Sequence, residues 1–162
     1  MFRVTMRTYS FIIAAGGQGT RLGGKKQFMS LGNRELWRWS AENAAITDSV
    51  REIILVIPQN ETLNPEWTHD VPLRVVNGGS ERALSVLNGL NAATCEYVMV
   101  HDAARPFASP ELFQRLMETV SDDAGVVPVF PVSDALKRIE SGEVSCVDRE
   151  GLYITQTPQV FP

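Results

Sequence analysis

The sequence predicts an α/β fold, a three-layer sandwich with a mostly parallel central sheet. Three observations carry this. Short apolar runs rich in Val, Ile and aromatic residues recur at 10–15, 52–57, 73–76, 97–101 and 125–130, with the length and composition of buried strands. Segments with three- and four-residue apolar spacing lie between them. Strands that alternate with helices are joined by right-handed crossovers, which makes the strands parallel and places helices on the faces. This is Rossmann-like layering, and ligands gather beyond the carboxyl ends of such strands.

Each element has its own local reason. The first strand, 10–15, ends at a glycine-rich loop. Residues 35–45 set Leu36, Trp39 and Asn43 beside Trp37, Ala41 and Ala44, a broad apolar helical face. After the strands at 52–57 and 73–76, Ser80 is expected to cap a helix whose stripe is Ala83, Val86, Leu87 and Leu90. The strand at 97–101 leads to Ser109 as a cap and Pro110 in the first turn, with Leu112, Phe113, Leu116 and Val120 facing inward. Beyond the strand at 125–130, residues 134–153 alternate on either side of Ser141-Gly142 and read as a β-hairpin exposing Lys137, Arg138, Asp148 and Arg149. A two-stranded ribbon is marginal alone, so it either docks on a second subunit or stands as a solvated hairpin. Residues 154–161 close the chain as an apolar strand carrying Thr157 and Gln159.

At 162 residues and 44% hydrophobic content the chain suits one domain, 1–162, with a projecting β-hairpin arm at about 132–153. A net charge of −4 gives no basic footprint for nucleic acid, so any anion site must be built locally. No run is long enough for a membrane span or a signal-peptide core, which points to the cytoplasm. Cys95 and Cys146 lack metal-ligand spacing and read as buried or half-buried thiols.

The stretch IIAAGGQGTRLGGKKQF, residues 12–28, combines five glycines with Arg21, Lys25 and Lys26. Its spacing misses both GxGxxG and GxxxxGK[ST]. Two readings stay open on this segment alone: a loop that holds a triphosphate, or a tight turn with solvated cations. NGGSERALSV then brings two glycines, Arg82 and Ser85 to a helix start, where backbone N–H groups can meet a sugar, base or phosphate. HDAARPF leaves Asp102 and Arg105 at a strand end. Asp102 there is either a Mg²⁺ ligand beside phosphates or an ion-pair partner of Arg105 that pins the loop.

Taken in order, AGGQGTRLG with KKQF, NGGSERALSV, HDAARPF, DALKR, DREGLY and TPQVF resemble the 2-C-methyl-D-erythritol 4-phosphate cytidylyltransferases of the non-mevalonate isoprenoid pathway. The resemblance implies that Arg21 and Lys26 stabilise the pentavalent phosphorus and that Asp102 binds Mg²⁺. It implies a CTP site of Ala15, Gly16, Gly17, Gly19, Gly79, Arg82, Ser85 and Ala103, with Arg105, Thr157 and Arg149 on the substrate side. It also implies a homodimer in which the arm carries Arg149 to the neighbouring subunit's methylerythritol phosphate.

Departures accompany the match. Four residues separate Arg21 from Lys26, a shorter loop than the family's, so Lys25 is the alternative lysine. Ser80 stands where an aspartate is common, and Ala135 where a threonine often meets the substrate phosphate. The family continues past TPQVFP with a helix, a strand bearing a substrate lysine and a second metal-binding aspartate, and a closing helix. The expectation is therefore the ordered part of a longer protein, to which a second enzyme domain could also be fused, with a fragment carrying an incomplete site as the alternative.

In the implied reaction the substrate phosphate attacks the α-phosphorus of CTP in line and releases pyrophosphate. That nucleophile is already anionic, so no general base is needed; His69 sits in a polar loop, and His101 is expected to order the Asp102 loop. The rival readings are a cytidylyltransferase for ribitol 5-phosphate or another alcohol phosphate, and a catalytically silent oligomeric nucleotide-binding protein.

Overall fold

Burial of one strand on both faces fixes the centre of this fold. The computed structural model describes residues 7–17 and 26–162. Its first strand, β1 (Tyr9–Ala14), turns Phe11 and Ile13 to one face and Ile12 to the other, and none of the three is exposed. A strand buried on both faces reads as a continuous apolar run, as in parallel sheets. After one 3₁₀ turn (Lys26–Phe28) come a two-residue ladder, β2 (Ser30–Leu31) with β3 (Arg34–Glu35), and then α1 (Leu36–Ala45). Next are β4 (Val50–Ile57), β5 (Leu73–Asn77), α2 (Arg82–Ala92), β6 (Tyr97–Asp102) and α3 (Pro110–Thr119). The chain finishes with β7 (Val129–Pro131), β8 (Leu136–Glu140), β9 (Glu143–Val147), β10 (Tyr153–Thr155) and β11 (Gln159–Phe161).

The central sheet has the order β11-β6-β1-β4-β5, parallel throughout except for β11, which runs antiparallel to β6. Trp37, Ala41 and Ala44 of α1 and Phe113, Leu116 and Met117 of α3 pack on the face formed by Phe11, Ile13, Ile53, Leu55 and Met99. On the other face Val86 and Ala92 of α2 meet Ile12, Ile54, Val56 and Val100. The three predicted layers are all present. α3 starts as its sequence predicts, with the Ser109 side chain accepting from the Leu112 N–H and Pro110 in the first turn. No helix among the described residues is long and apolar enough to cross a membrane.

Several local expectations are corrected. α2 is preceded by Glu81 rather than capped by Ser80, and no side chain caps it. Its inward residues are Ser85 and Gly89 with half-buried Val86, while Leu87 and Leu90 are 48% and 37% exposed. The cause is small-residue contact: a Cβ on Gly89 would lie 2.6 Å from Ile12 Cγ2 and 3.0 Å from Val56 Cγ2. Close approach turns the small residues to the sheet and the leucines away. Of the strand expected at 125–130, Val126 makes only an isolated bridge to Val160, and β7 pairs instead with β10 in a separate two-stranded sheet. The expected strand at 154–161 is likewise two strands, β10 and β11. Pro158 between them has no N–H to donate to a ladder.

The hairpin of β8 and β9 turns at Ser141 and Gly142, both with positive φ (52° and 87°), as a two-residue hairpin loop requires. None of the described residues buries this ribbon, and Ile139 and Val144 are exposed along with Lys137 and Arg138. Asp148 and Arg149 are exposed too, but lie just past β9. Cys95 is half-buried as expected; Cys146 is exposed on the ribbon, and both are free thiols.

At the amino-terminal edge of the sheet Glu52 is buried, yet its carboxylate is well satisfied. Oε1 accepts from Ser10 Oγ (2.6 Å), the Thr94 N–H (2.6 Å) and Thr94 Oγ1 (2.8 Å), and Oε2 accepts from Arg74 Nη2. Burial opposes the charge, but these donors outweigh it and hold the carboxyl at about 2 rather than 4.5. A lowered folded pKa gives stability that is complete above the unfolded value and fades as pH falls through the folded one. This carboxylate should therefore contribute about 3 kcal/mol at neutral pH, lost between pH 4.5 and about 2. Urea unfolding across that range is the test. Glu52→Gln should lower stability at pH 7 by about 2–3 kcal/mol and flatten the acid limb; an unchanged limb would assign it to other carboxyls.

Candidate active site

Because β1, β4, β5 and β6 run in the same direction, Ala14, Ile57, Asn77 and Asp102 end at one edge. The loops that leave this edge carry most of the predicted residues. Ala15 is buried, its N–H donating to the Val56 carbonyl (2.8 Å), so the chain keeps sheet-like support as far as the glycines. Gln27 reaches back across the loop: its Nε2 donates to the carbonyls of Ala15 (2.6 Å) and Gly17 (2.8 Å). Sequence reasoning missed this clasp, since a glutamine beside two lysines carries no local sign of being buried.

Across from it, backbones approach closely around one hydroxyl. A Cβ on Gly16 would lie 2.8 Å from Ser85 Oγ, and one on Gly78 would lie 2.6 Å from the same atom. Ser85 Oγ accepts from the Gly79 N–H (3.1 Å) and donates to the Glu81 carbonyl (3.0 Å). Gly78 N–H donates to the Ile57 carbonyl at the end of β4 (2.7 Å). Thus Ser85, buried in the first turns of α2, ties residues 78–81 down beside the β1 loop.

Asp102, the last residue of β6, stands between two arginines. Arg82 Nη2 donates to Oδ1 (2.8 Å) and Arg105 Nε to Oδ2 (3.3 Å). Arg105 also donates from Nη1 to Gln156 Oε1, a partner that sequence reasoning did not single out. The turn is closed by Arg105 N–H to the Asp102 carbonyl (3.1 Å), and Ala103 N–H returns to the Ala14 carbonyl at the end of β1 (3.2 Å). Next to the turn, an open cleft of about 450 Å³ is lined by Arg105, Phe107, Leu112, Pro128, Gln156 and Thr157. His101 directly beneath is fully buried, and burial lowers its pKa to about 4, so the ring is neutral near pH 7.

Ala15, Gly16, Gly17, Gly79, Arg82, Ser85, Asp102, Ala103, Arg105 and Thr157 are thus gathered on or beside one edge. Lys26 is exposed at the start of the 3₁₀ turn. Arg21, Gly19 and Lys25 lie outside the described residues. Arg149 is apart from the edge: it is exposed and donates to the Ser133 carbonyl at the base of its own arm.

The donor set fits a divalent cation of a particular kind. Among the described residues no three His, Cys, Asp or Glu groups cluster, so a cage made of protein alone is absent there. Mg²⁺ is commonly held by one or two carboxylates with phosphate oxygens and water, and Asp102 offers one such carboxylate. Its side chain is 29% exposed, and each oxygen accepts one arginine bond, leaving a lone pair on each.

Residues 9–162 match the family described as 2-C-methyl-D-erythritol 4-phosphate cytidylyltransferase. The chain is 38% identical over 163 residues to a protein of that name from Cereibacter sphaeroides, covering 95% of this chain and 72% of the relative. It is 40% identical over 158 residues to the bifunctional enzyme IspD/IspF of Anaeromyxobacter dehalogenans, covering 93% of this chain but 41% of the relative. The chain therefore spans about two fifths of such bifunctional relatives. The crystal structure of 2-C-methyl-D-erythritol 4-phosphate cytidylyltransferase from Thermus thermophilus superposes with a TM-score of 0.76 at 32% identity, covering 96% of this chain and 70% of that one. A match over the full span from β1 to β11, in sequence and in fold, places the chain in the 2-C-methyl-D-erythritol 4-phosphate cytidylyltransferase family.

Proposed function

We propose that the protein transfers the cytidylyl group of CTP to 2-C-methyl-D-erythritol 4-phosphate, releasing pyrophosphate. The observation that carries this reading is the Asp102 carboxylate, set between Arg82 and Arg105 at the edge where the glycine-rich loop leaves β1, in a chain that matches the family from residue 9 to residue 162. The glycines let backbone N–H groups approach the triphosphate, and Arg82 is free to turn from Asp102 to a phosphate because its side chain is 60% exposed. When bound, Mg²⁺ on Asp102 would neutralise phosphate oxygens. Arg21 and Lys26 stabilise the charge that builds on the α-phosphorus, and Arg105 steers the attacking phosphate. No side chain has to remove a proton, which agrees with a neutral His101 buried beneath the site. The same reading implies a cytoplasmic setting, where CTP is made.

The reading extends to a homodimer. The arm exposes Ile139 and Val144, and a two-stranded ribbon gains stability by docking. In this reading Arg149 leaves Ser133 and reaches the phosphate in the neighbouring site, where its planar fork can hold two oxygens.

Pyrophosphate release by the full chain, measured with CTP and each alcohol phosphate in turn, tests the assignment. Turnover is expected with methylerythritol phosphate, and CTP should outcompete ATP and GTP; a preference for ribitol 5-phosphate would move the protein to that activity. Arg21→Ala and Lys26→Ala should each lower kcat at least about 100-fold while CTP affinity changes only a few-fold, because stabilisation is greatest at the transition state. Equal losses in both would make them ground-state ligands, and an effect from Lys25→Ala alone would move the lysine role by one position. Mixed dimers of Arg149→Ala and Arg21→Ala chains should recover up to about half the wild-type activity, since both lesions fall in one of two sites. Inactive mixed dimers would confine Arg149 to its own subunit.

A further inference from the structure

Thr157 has a hydroxyl that is engaged on both sides. The Asp102 N–H donates to Thr157 Oγ1 (3.2 Å), and Thr157 Oγ1 lies 3.1 Å from His101 Nδ1. On the far side of the ring, Nε2 is 3.0 Å from the Arg105 carbonyl and 3.1 Å from Ser40 Oγ. A carbonyl can only accept, so Nε2 bears the proton. Nδ1 is then the acceptor, and Thr157 donates to it. The direction of every bond in the chain follows: Asp102 N–H to Thr157, Thr157 O–H to His101, His101 N–H to Arg105.

We propose that His101 is a positioning residue, which through Thr157 fixes both ends of the turn that presents Asp102 and Arg105. It holds the Arg105 carbonyl directly and the Asp102 amide at one remove. The ring has no exposure and is wedged between Phe11 and Phe113, with centroids 5.9 and 6.2 Å away, so it acts as a rigid spacer. Thr157 immediately precedes Pro158 and β11, so the chain of bonds also sets the edge strand against the turn. Two groups of opposite charge, which in the cytidylyl-transfer reading serve the metal and the substrate phosphate respectively, are thereby oriented from below by an uncharged network. Misplacing reacting groups by about an ångström can cost about 100-fold in rate, which makes such a support worth testing.

The kinetic part of the test rests on the cytidylyl-transfer reading, whereas the spectroscopic part does not. In ¹⁵N-labelled full chain without substrates, the His101 imidazole should show the Nε2–H tautomer. Thr157→Val should move the Nδ1 resonance, and Thr157→Ser should leave it in place. In turnover, His101→Phe and Thr157→Val should each lower kcat by about 10- to 100-fold with KM for CTP held within about two-fold. Thr157→Ser should restore the rate, and the double variant should lose no more than the worse single one. An Nδ1–H tautomer, an unmoved resonance in Thr157→Val, or losses that multiply in the double variant would overturn the proposal; multiplied losses would assign Thr157 to direct substrate contact. If His101→Phe does not fold, the Thr157 pair and the resonances decide. A wild-type chain with no turnover overturns the reaction assignment instead, and the tautomer and resonance results still decide the role of His101.

Discussion

Burial of β1 on both faces is the constraint on which the site depends. With Phe11 and Ile13 under α1 and α3, and Ile12 under α2, the strand has no freedom to shift register, since a slip of one residue would exchange its faces. Three loops of the site leave β1, its neighbour β6, and β5, which lies one strand beyond β4: the glycines follow Ala14, Asp102 ends β6, and Gly78 and Gly79 follow β5. The opposite edge is tied by Glu52, which joins β1 through Ser10, β5 through Arg74, and the approach to β6 through Thr94. The sheet is therefore pinned at one end and presents chemistry at the other.

How much of this was legible in the sequence depended on whether the signal was local. The strands at 10–15, 52–57, 73–76 and 97–101, the Ser109 cap and the Ser141-Gly142 turn were readable because each rests on neighbours in sequence. The facing of α2 was not readable from apolar spacing. Leu84, Leu87 and Leu90 outweigh Ser85 and Gly89 in any count of hydrophobic residues, yet the small pair faces the sheet because close backbone packing beats the area of a leucine at that position. The division of 154–161 into β10 and β11 was hidden for a similar reason: which sheet a short strand joins is decided by partners far away in sequence.

At the site the same distinction holds. The glycines, Arg82, Asp102 and Arg105 could be named because they are the residue types that phosphate chemistry needs. Their supports could not. Gln27, Gln156 and the full use of the Thr157 hydroxyl depend on atoms brought together across gaps of 10 to 56 residues. Ser85 illustrates the overlap: named by resemblance as part of the CTP site, its hydroxyl holds the Gly79 N–H and the Glu81 carbonyl in this structure. Forming the turn and offering that turn's N–H groups to a nucleotide are compatible tasks, because Ser85 engages only one of them.

The two buried titratable groups, Glu52 and His101, reach opposite ionisation states by one rule. Burial disfavours charge at both positions, so the outcome is set by what the neighbours can donate or accept. Glu52 receives bonds from a hydroxyl on each of Ser10 and Thr94, an amide and a guanidinium, and stays charged. His101 has one firm acceptor in the Arg105 carbonyl and a hydroxyl donor on its other nitrogen, an arrangement satisfied by the neutral ring. Each state suits its place. A second proton on the ring would displace the Thr157 bond and add a buried cation beneath Arg105, where Arg82 already competes for the single carboxylate of Asp102. A neutral support leaves the positive charge at the surface, on the exposed side chains of Arg82 and Arg105.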